Sequence, residues 1–353
     1  MLIILHPPPS MRAGQDEFGV LTEAGLRENG LSCRIEELWP DFWARWLFNS
    51  AVPFGKRLFH YVPAQFGAQA RVAQVEAGDV VWVDGFGLPL DFHKCLIEKR
   101  IKKRGAAYAF HMMDDLFSAD TTFCRGSTAR AVMADLVTVV TPQLEERARE
   151  FVPHTKIALF EEPVNVHRFQ TDTNVKRNDP FVLWSGKPRN LEKMKMIETV
   201  MKRVYAETPF KLRIVGGSQK PGIAFPVPWE WFPYDHARQA EHYAGAVAGL
   251  APLEDTPYNR CKGNYKIKCY MAAGVPPVCS PVGYSTNLVS NGESGFLPNS
   301  EDEWVEVLIG LLKNVTMAEN IGRAARTYAV EHFSHEALMP VWAEKLKRIF
   351  PSL

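Results

Sequence analysis

Four short stretches in the second half of the 353-residue chain combine the residue types that hold a phosphate. They read Ser185-Gly186-Lys187, Gly216-Gly217-Ser218, Pro252-Leu253-Glu254-Asp255-Thr256 and Ser280-Pro281-Val282-Gly283-Tyr284. A phosphate needs bare backbone N–H groups, a helix N-terminus and fixed positive charge. Glycines, hydroxyls and a lysine meet those needs. A glycine at one strand–helix junction is an ordinary turn. Four such stretches following four β-rich runs point to an anionic ligand held at the carboxyl ends of strands, where open parallel sheets bind ligands.

The elements that must position these stretches alternate along nearly the whole chain. In the first half β-rich runs are read at Leu2–Leu5, Ser32–Glu36, Val80–Asp84, Ala107–His111, Leu136–Val140 and Lys156–Phe160. Helices are expected over Asp16–Asn29, ended by Gly30, over Phe92–Arg104, ended by Gly105, and over Pro142–Phe151, opened by Thr141 as N-cap with Pro at the first turn. In the second half strands are read at Phe181–Trp184, Lys211–Val215, Val247–Ala251, Pro277–Cys279 and Gly295–Leu297. Helices are expected over Leu191–Glu207, His236–Tyr243, Lys266–Ala273, Thr286–Val289 and Glu301–Lys313. Such alternation implies α/β architecture with parallel sheets covered by helices. The polar stretch Val164–Asp179 reads as a linker. The expected division is 1–165, 178–332, and a final helix at 333–353.

Composition narrows the class. Hydrophobic residues make up 46% and charged residues 23%, as in a globular protein rather than a disordered one. Lys plus Arg number 41 against 40 Asp plus Glu, so overall charge does not drive binding to a polyanion, and no nucleic-acid partner is expected. No run of 18 apolar residues is present, so no membrane-spanning helix is expected. The start, MLIILHPPPS, reads as a first strand rather than a signal peptide. Six cysteines without a C-x-x-C pair read as free thiols in a reducing cytoplasm.

The segment 266–297, KIKCYMAAGVPPVCSPVGYSTNLVSNGESGFL, resembles the donor-binding core of glycosyltransferase family 4, with its K-x-x-E-Y-M-A-A-G-V-P-V-V, S-P-V-G-G, E-L-V and N-G-F-L text. Upstream, VLWSGKPRNLEK resembles the family's V-G-R-L…E-K stretch, LRIVGGS its L-x-I-V-G-x-G strand, and AGLAPLEDTPYNRCKGNYKIK a subgroup with A-P-L-x-D-T-P-Y-N-x-x-K. In the first half, ADLVTVVTPQLEERAREFVPHTKIALFEEPVNVHRF resembles the stretch that closes the first domain. The resemblance runs over roughly residues 77–335. It implies the GT-B fold: two Rossmann-like domains facing across a cleft, with a C-terminal helix, here Glu336–Phe350, crossing back to the first domain. It further implies a nucleotide-diphosphate-sugar donor held mainly by the second domain and an acceptor on the first. Sugar transfer would retain configuration, without a metal or other cofactor.

Site residues follow from the same resemblance. Lys187 stands where the family has Arg, and Lys193 where it has Lys; both are assigned to the donor diphosphate, whose developing charge fixed cations stabilise. Lys does not replace a planar Arg fork in geometry. Gly216, Gly217, Lys266 and the turn Gly283, Tyr284 and Ser285 join the donor set. Tyr284 replaces the family's second glycine and is expected to narrow the sugar pocket or stack on a ring. Gly14, in the loop His6–Gln15, falls where the fold places a loop over the phosphates. His111, ending its strand before Asp114 and Asp115, is the candidate catalytic residue: an imidazole there can bind a sugar hydroxyl or orient the acceptor. Asp114 is a further candidate, and either aspartate can instead cap the next helix.

The family's paired glutamates fall at Cys261 and Cys269, and its E-L-V glutamate at Asn287. Cysteine is a poor hydrogen-bond acceptor. Backbone amides, Glu254 or Asp255 are then expected to hold the ribose. These departures keep two alternatives open: a sugar- or nucleotide-binding protein without turnover, and a nucleotide-sugar epimerase. Aromatic residues over Phe42–Phe66 and the basic end of Phe92–Arg104 (KRIKKR) suit the inner surface of a membrane, so a peripheral cytoplasmic protein acting on a cell-surface polysaccharide or lipid-linked acceptor is expected.

Overall fold

A computed structural model describes residues 1–6, 18–38, 66–85, 95–118, 126–169 and 180–353. Gly14, most of Phe42–Phe66, the start of Phe92–Arg104, Cys124 and most of the expected linker lie outside the described residues.

Apolar, β-branched runs that are buried on both faces form parallel sheets. Strands β1 (Leu2–His6), β2 (Cys33–Glu37), β3 (Val80–Asp84), β4 (Ala107–Met112), β5 (Leu136–Val139) and β6 (Ile157–Leu159) make a parallel sheet of order β2-β1-β3-β4-β5-β6. Strands β7 (Phe181–Ser185), β8 (Lys211–Val215), β9 (Trp229–Phe232), β10 (Ala246–Ala251) and β11 (Pro277–Cys279) make a second, of order β11-β10-β7-β8-β9. Each is doubly wound. The strand order reverses between β1 and β3 in one and between β7 and β10 in the other, the points where such sheets bind ligands. The chain divides into two units: Met1–Glu161 with Cys261–Gly263 and Leu338–Leu353, and Glu162–Arg260 with Asn264–Ala337.

The final helix, His335–Ile349, delivers Trp342 to the first unit. Its ring stacks on Trp82 at 5.4 Å and meets Phe160 edge-on at 5.3 Å. Leu338, Met339, Ala343 and Leu346 complete this apolar face against Leu2, Ile4 and Leu136. The opposite face of the same sheet packs Val81, Val83, Phe110 and Val137 beneath the helices Leu96–Lys103 and Ser127–Met133. A buried ion pair, Arg130 Nε to Glu98 Oε1 at 2.9 Å, lies under those helices. The hydroxyl of Thr141 accepts from Leu144 N at 3.1 Å, so the N-cap forms as its sequence demands.

Several elements differ from the sequence reading. The expected helix Leu191–Glu207 begins as a 3-10 segment, Pro188–Ile197, and turns α-helical over Glu198–Glu207. Leu191, Met194 and Ile197 are its buried residues, and a spacing of three brings them into line in the tighter helix. Gly295–Leu297 is no strand: Phe296 makes a single parallel bridge to Val278, between Gly295 and Pro298. Conversely, β9 runs through Trp229–Phe232 between Pro228 and Pro233, at the sheet edge where flanking prolines are tolerated. The 19-residue helix Val315–Phe333 also carried no expectation, because its buried face is mostly Ala and Gly.

Trp342→Ala is expected to lower stability by about 3–5 kcal/mol through lost burial and an unfilled cavity. Urea unfolding followed by tryptophan fluorescence checks this; a loss below about 1 kcal/mol would contradict the packing role.

Candidate functional site

The carboxyl ends of β7 and β8 approach so closely that a side chain has no room. A Cβ on Gly216 would lie 2.0 Å from the carbonyl oxygen of Gly186, and one on Gly217 2.5 Å from Pro188 Cγ. The amides are engaged as well. Gly186 N donates to Val215 O at 3.0 Å and Gly216 N to Phe232 O at 3.1 Å. The expectation that these glycines offer bare N–H groups is therefore corrected for Gly186 and Gly216, whose amides complete the sheet ladder.

Positive charge is what gathers here. Lys187, half-buried, stands at the N-terminus of the 3-10 segment. Lys266, in the first turn of the helix Tyr265–Ala272, holds its ammonium 4.2 Å from the centre of the Trp184 ring and beside Gly186. Lys193 Nζ lies 3.4 Å from Asn259 Oδ1. Asn259 in turn donates its side-chain amide to Glu254 O at 2.9 Å and its backbone N to Thr256 Oγ1 at 3.2 Å. Lys193 is thereby tied to the loop after β10, across the β7–β10 switch point. Asn259 escaped the sequence reading, although it lies in the quoted T-P-Y-N string. Glu254 and Asp255 are exposed, and Asp255 is held by Arg260 at 2.5 and 2.8 Å, which keeps its carboxyl below the usual range.

Gly283 adopts φ +54°, and a Cβ there would lie 2.1 Å from Arg260 O. Only glycine fits. The turn around it is pinned by hydroxyls: Ser285 Oγ donates to Ser280 O at 2.7 Å, and Ser280 Oγ accepts from Leu253 N at 3.0 Å. Ser285 N donates to Val282 O at 3.3 Å, so the amide assigned to a donor serves the turn instead. The Tyr284 ring is buried in the second unit's core, with the Lys268 ammonium 5.6 Å from its centre. That corrects the expectation of a ring lining a sugar pocket. Asn287 is exposed on a four-residue helix.

Cys269, at the family's second glutamate position, is 2% exposed, and burial pushes its thiol up to about 12. Cys261 packs in the first unit's core, its thiol pushed up to about 11 by burial and by Asp115. Thr141 Oγ1 donates to Cys261 O at 3.2 Å. No carboxylate charge exists at either position. Among the described residues, five cysteines are buried free thiols, and no group of three or more His, Cys, Asp or Glu is placed to hold a metal ion.

In the first unit, His111 is 2% exposed, with Nδ1 2.8 Å from Thr138 Oγ1 and its ring edge-on to Trp82 at 5.2 Å. Asp84, a charged end to the apolar run VVWV, shares its register position across β3 and β4. Asp84 and Thr138 were not anticipated; the lone aspartate closing an apolar strand was the available signal. Asp115 accepts from Phe117 N and Ser118 N at 3.0 and 3.2 Å, capping the turn, while Asp114 meets Lys262 at 3.5 Å. A surface depression lined by Asn320, Arg323, Thr327 and Tyr328 contains none of the candidate residues.

No family model matches the chain, and no curated protein matches it. Solved structures are similar along its whole length. Sucrose-phosphate synthase from Thermosynechococcus elongatus superposes with a TM-score of 0.72 at 18% identity, over 100% of both chains. A glycosyltransferase from Rickettsia africae gives 0.68 at 14%, covering 99% of this chain and 98% of its own. Anabaena HepE in complex with UDP-glucose gives 0.68 at 14%, covering 99% and 100%. At these identities the likeness concerns fold, and the fold class is GT-B.

Thiols held this high are thiolate in roughly one molecule per thousand or fewer at pH 8. In a Cys124→Ser variant, Ellman's reagent at pH 8 is expected to find no fast-reacting cysteine until the protein is denatured. A fast native reaction would contradict the burial of Cys261 and Cys269.

Proposed function

We propose that the chain is a glycosyltransferase that moves a hexosyl group from a nucleotide-diphosphate sugar to a glycan or glycolipid acceptor, with retention and without a metal or other cofactor. The observation that carries this reading is the convergence of Lys187, Lys193 and Lys266 on the loops around the β7–β10 switch point. Three half-buried cations near a surface stripped of side chains by Gly216 and Gly217 suit a diphosphate, which presents charge and needs close approach. As the sugar–phosphate bond breaks, charge grows on the leaving diphosphate, and fixed ammonium groups stabilise it. The neighbours support the reading: HepE is described in complex with UDP-glucose, and another neighbour is a glycosyltransferase by name. His111 of the first unit would contact a substrate hydroxyl.

A second reading, nucleotide or sugar binding without turnover, is favoured by Cys269, which places a neutral thiol where the resembling family has a carboxylate. Incubation with UDP-, GDP-, ADP- and dTDP-sugars, with and without glycan or glycolipid acceptors, separates the two by nucleotide release. Turnover of the sugar without an acceptor would instead indicate an epimerase.

A lipid-linked acceptor would bring the protein to the cytoplasmic face of a membrane. Leu96, Lys99, Arg100 and Lys103 form one exposed stripe of their helix, while its single acid, Glu98, is buried on Arg130. Arg100 Nη1 of the stripe donates to Gln69 at 2.9 Å, and Lys102 of the same helix pairs with Asp135, just before β5, at 2.6 Å. Exposed Phe66 and Val132 flank it, and apolar tips beside cations suit anionic headgroups. No helix among the described residues is long and apolar enough to cross a membrane.

Lys187→Ala and Lys193→Ala are each expected to weaken UDP, GDP or ADP binding by about tenfold or more, as lost charge-assisted contacts do. Unchanged affinity by titration calorimetry would contradict the assignment. Vesicles rich in phosphatidylglycerol are expected to sediment the protein at low salt, and Lys99→Glu with Lys103→Glu to abolish it. Equal sedimentation with neutral vesicles, or none, would contradict docking.

A further inference from the structure

Strands β7 and β10 separate before they end. They pair in register at Phe181–Ala246, Val182–Ala248 and Leu183–Gly249, where the pairing stops. Each strand then runs on beside its other neighbour. Trp184 and Ser185 pair with Ile214 and Val215 of β8, and Leu250 and Ala251 with Val278 and Cys279 of β11. A gap thus opens within the sheet at its switch point. The loop leaving one side carries Lys187, and the loop leaving the other carries Glu254 and Asn259.

The Tyr270 hydroxyl fills that gap. Ser185 N donates to it at 2.9 Å, and it donates to Leu250 O at 3.2 Å. Both directions are fixed by chemistry, since a backbone N–H only donates and a carbonyl only accepts. One phenol therefore completes the interrupted ladder, serving the donor of one strand and the acceptor of the next. All the parts are buried: Tyr270 and Leu250 are 0% exposed and Ser185 is 5% exposed. Burial holds the phenol well above its ordinary range, so it keeps the proton it donates. The sheet makes room for the ring, because a Cβ on Gly249 would lie 2.5 Å from Tyr270 Cδ2. Glycine inside a strand marks such a close approach.

We propose that Tyr270 is a positioning residue whose hydroxyl, wedged between β7 and β10, sets the spacing of the two loops on which a nucleoside diphosphate docks. The ring comes from the helix Tyr265–Ala272, which also carries Lys266, so one helix places a cation and both loop ends. The consequence for a ligand rests on the transferase reading; the wedge itself does not.

Tyr270→Phe keeps the ring and leaves Ser185 N–H and Leu250 C=O without their partner. Hydrogen exchange followed by NMR is expected to show the Ser185 amide exchanging about tenfold faster than in wild type, the worth of one good hydrogen bond, with the Leu183 amide changed less than about threefold. Affinity for UDP, GDP or ADP, by titration calorimetry, is expected to fall about fivefold in Tyr270→Phe, and as far in Gly249→Ala, which keeps the hydroxyl but crowds the ring out of the gap. Leu311→Ala, a buried truncation on the helix Glu301–Lys313, lowers stability without touching the wedge and should change affinity less than about twofold. A Ser185 amide that exchanges as in wild type overturns the proposal. So does an affinity in Tyr270→Phe that is unchanged, or lowered no more than in Leu311→Ala, while wild type binds. A wild type that binds none of the three nucleotides would overturn the transferase reading and the proposal with it.

Discussion

At the carboxyl edge of the second sheet, backbone meets backbone with nothing between. Gly216 lies against the carbonyl of Gly186, and Gly283 against that of Arg260. Any side chain at either glycine would push the loops apart by more than an ångström, and the ladder bonds made by Gly186 and Gly216 would go with it. The same device joins the helix Val315–Phe333 to the strand-bearing core, where Gly322 approaches Gly274 O. The cost of this closeness is that the amides of Gly186, Gly216 and Ser285 are committed within the protein. Charge for an anionic ligand would then have to come from side chains; Lys266 lies over the Trp184 ring and Lys193 against Asn259. An ammonium over an aromatic face gains only about 0.5–2 kcal/mol, so an arriving phosphate can compete for it.

The first unit solves a different problem. Its sheet must hold an imidazole still inside an apolar wall. Trp82 and His111 lie on the face covered by the C-terminal helix, whose Trp342 stacks on Trp82. The final stretch of chain thus fixes the surroundings of a residue encoded more than two hundred positions earlier. Aromatic packing on one side and Thr138 on the other leave the ring little freedom.

Much of this was legible in the residues. Val80–Asp84, Lys211–Val215, Pro277–Cys279 and Glu301–Lys313 were read to the residue, because apolar period and bounding glycines or caps agreed there. The loops that gather the lysines were found from glycine and hydroxyl content. What could not be read was how each polar atom is spent. Ser285 offers the same residue type whether it serves a ligand or its own turn, and the close contact with Ser280 O decides. Tyr284 replaces a glycine and reads as a pocket residue, yet a ring beside a buried lysine lowers its free energy more by joining the core. Likewise Cys269 shows no outward sign that its thiol is sealed from solvent.

The central claim is that a nucleoside diphosphate docks on the carboxyl edge of the second sheet, on lysine charge. Hydrogen–deuterium exchange with and without saturating UDP, GDP or ADP addresses it most directly. The account predicts slowed exchange concentrated in residues 186–195, 216–218, 253–260 and 283–286. Slowing confined to the first unit, or none at a concentration where calorimetry shows the site filled, would contradict it.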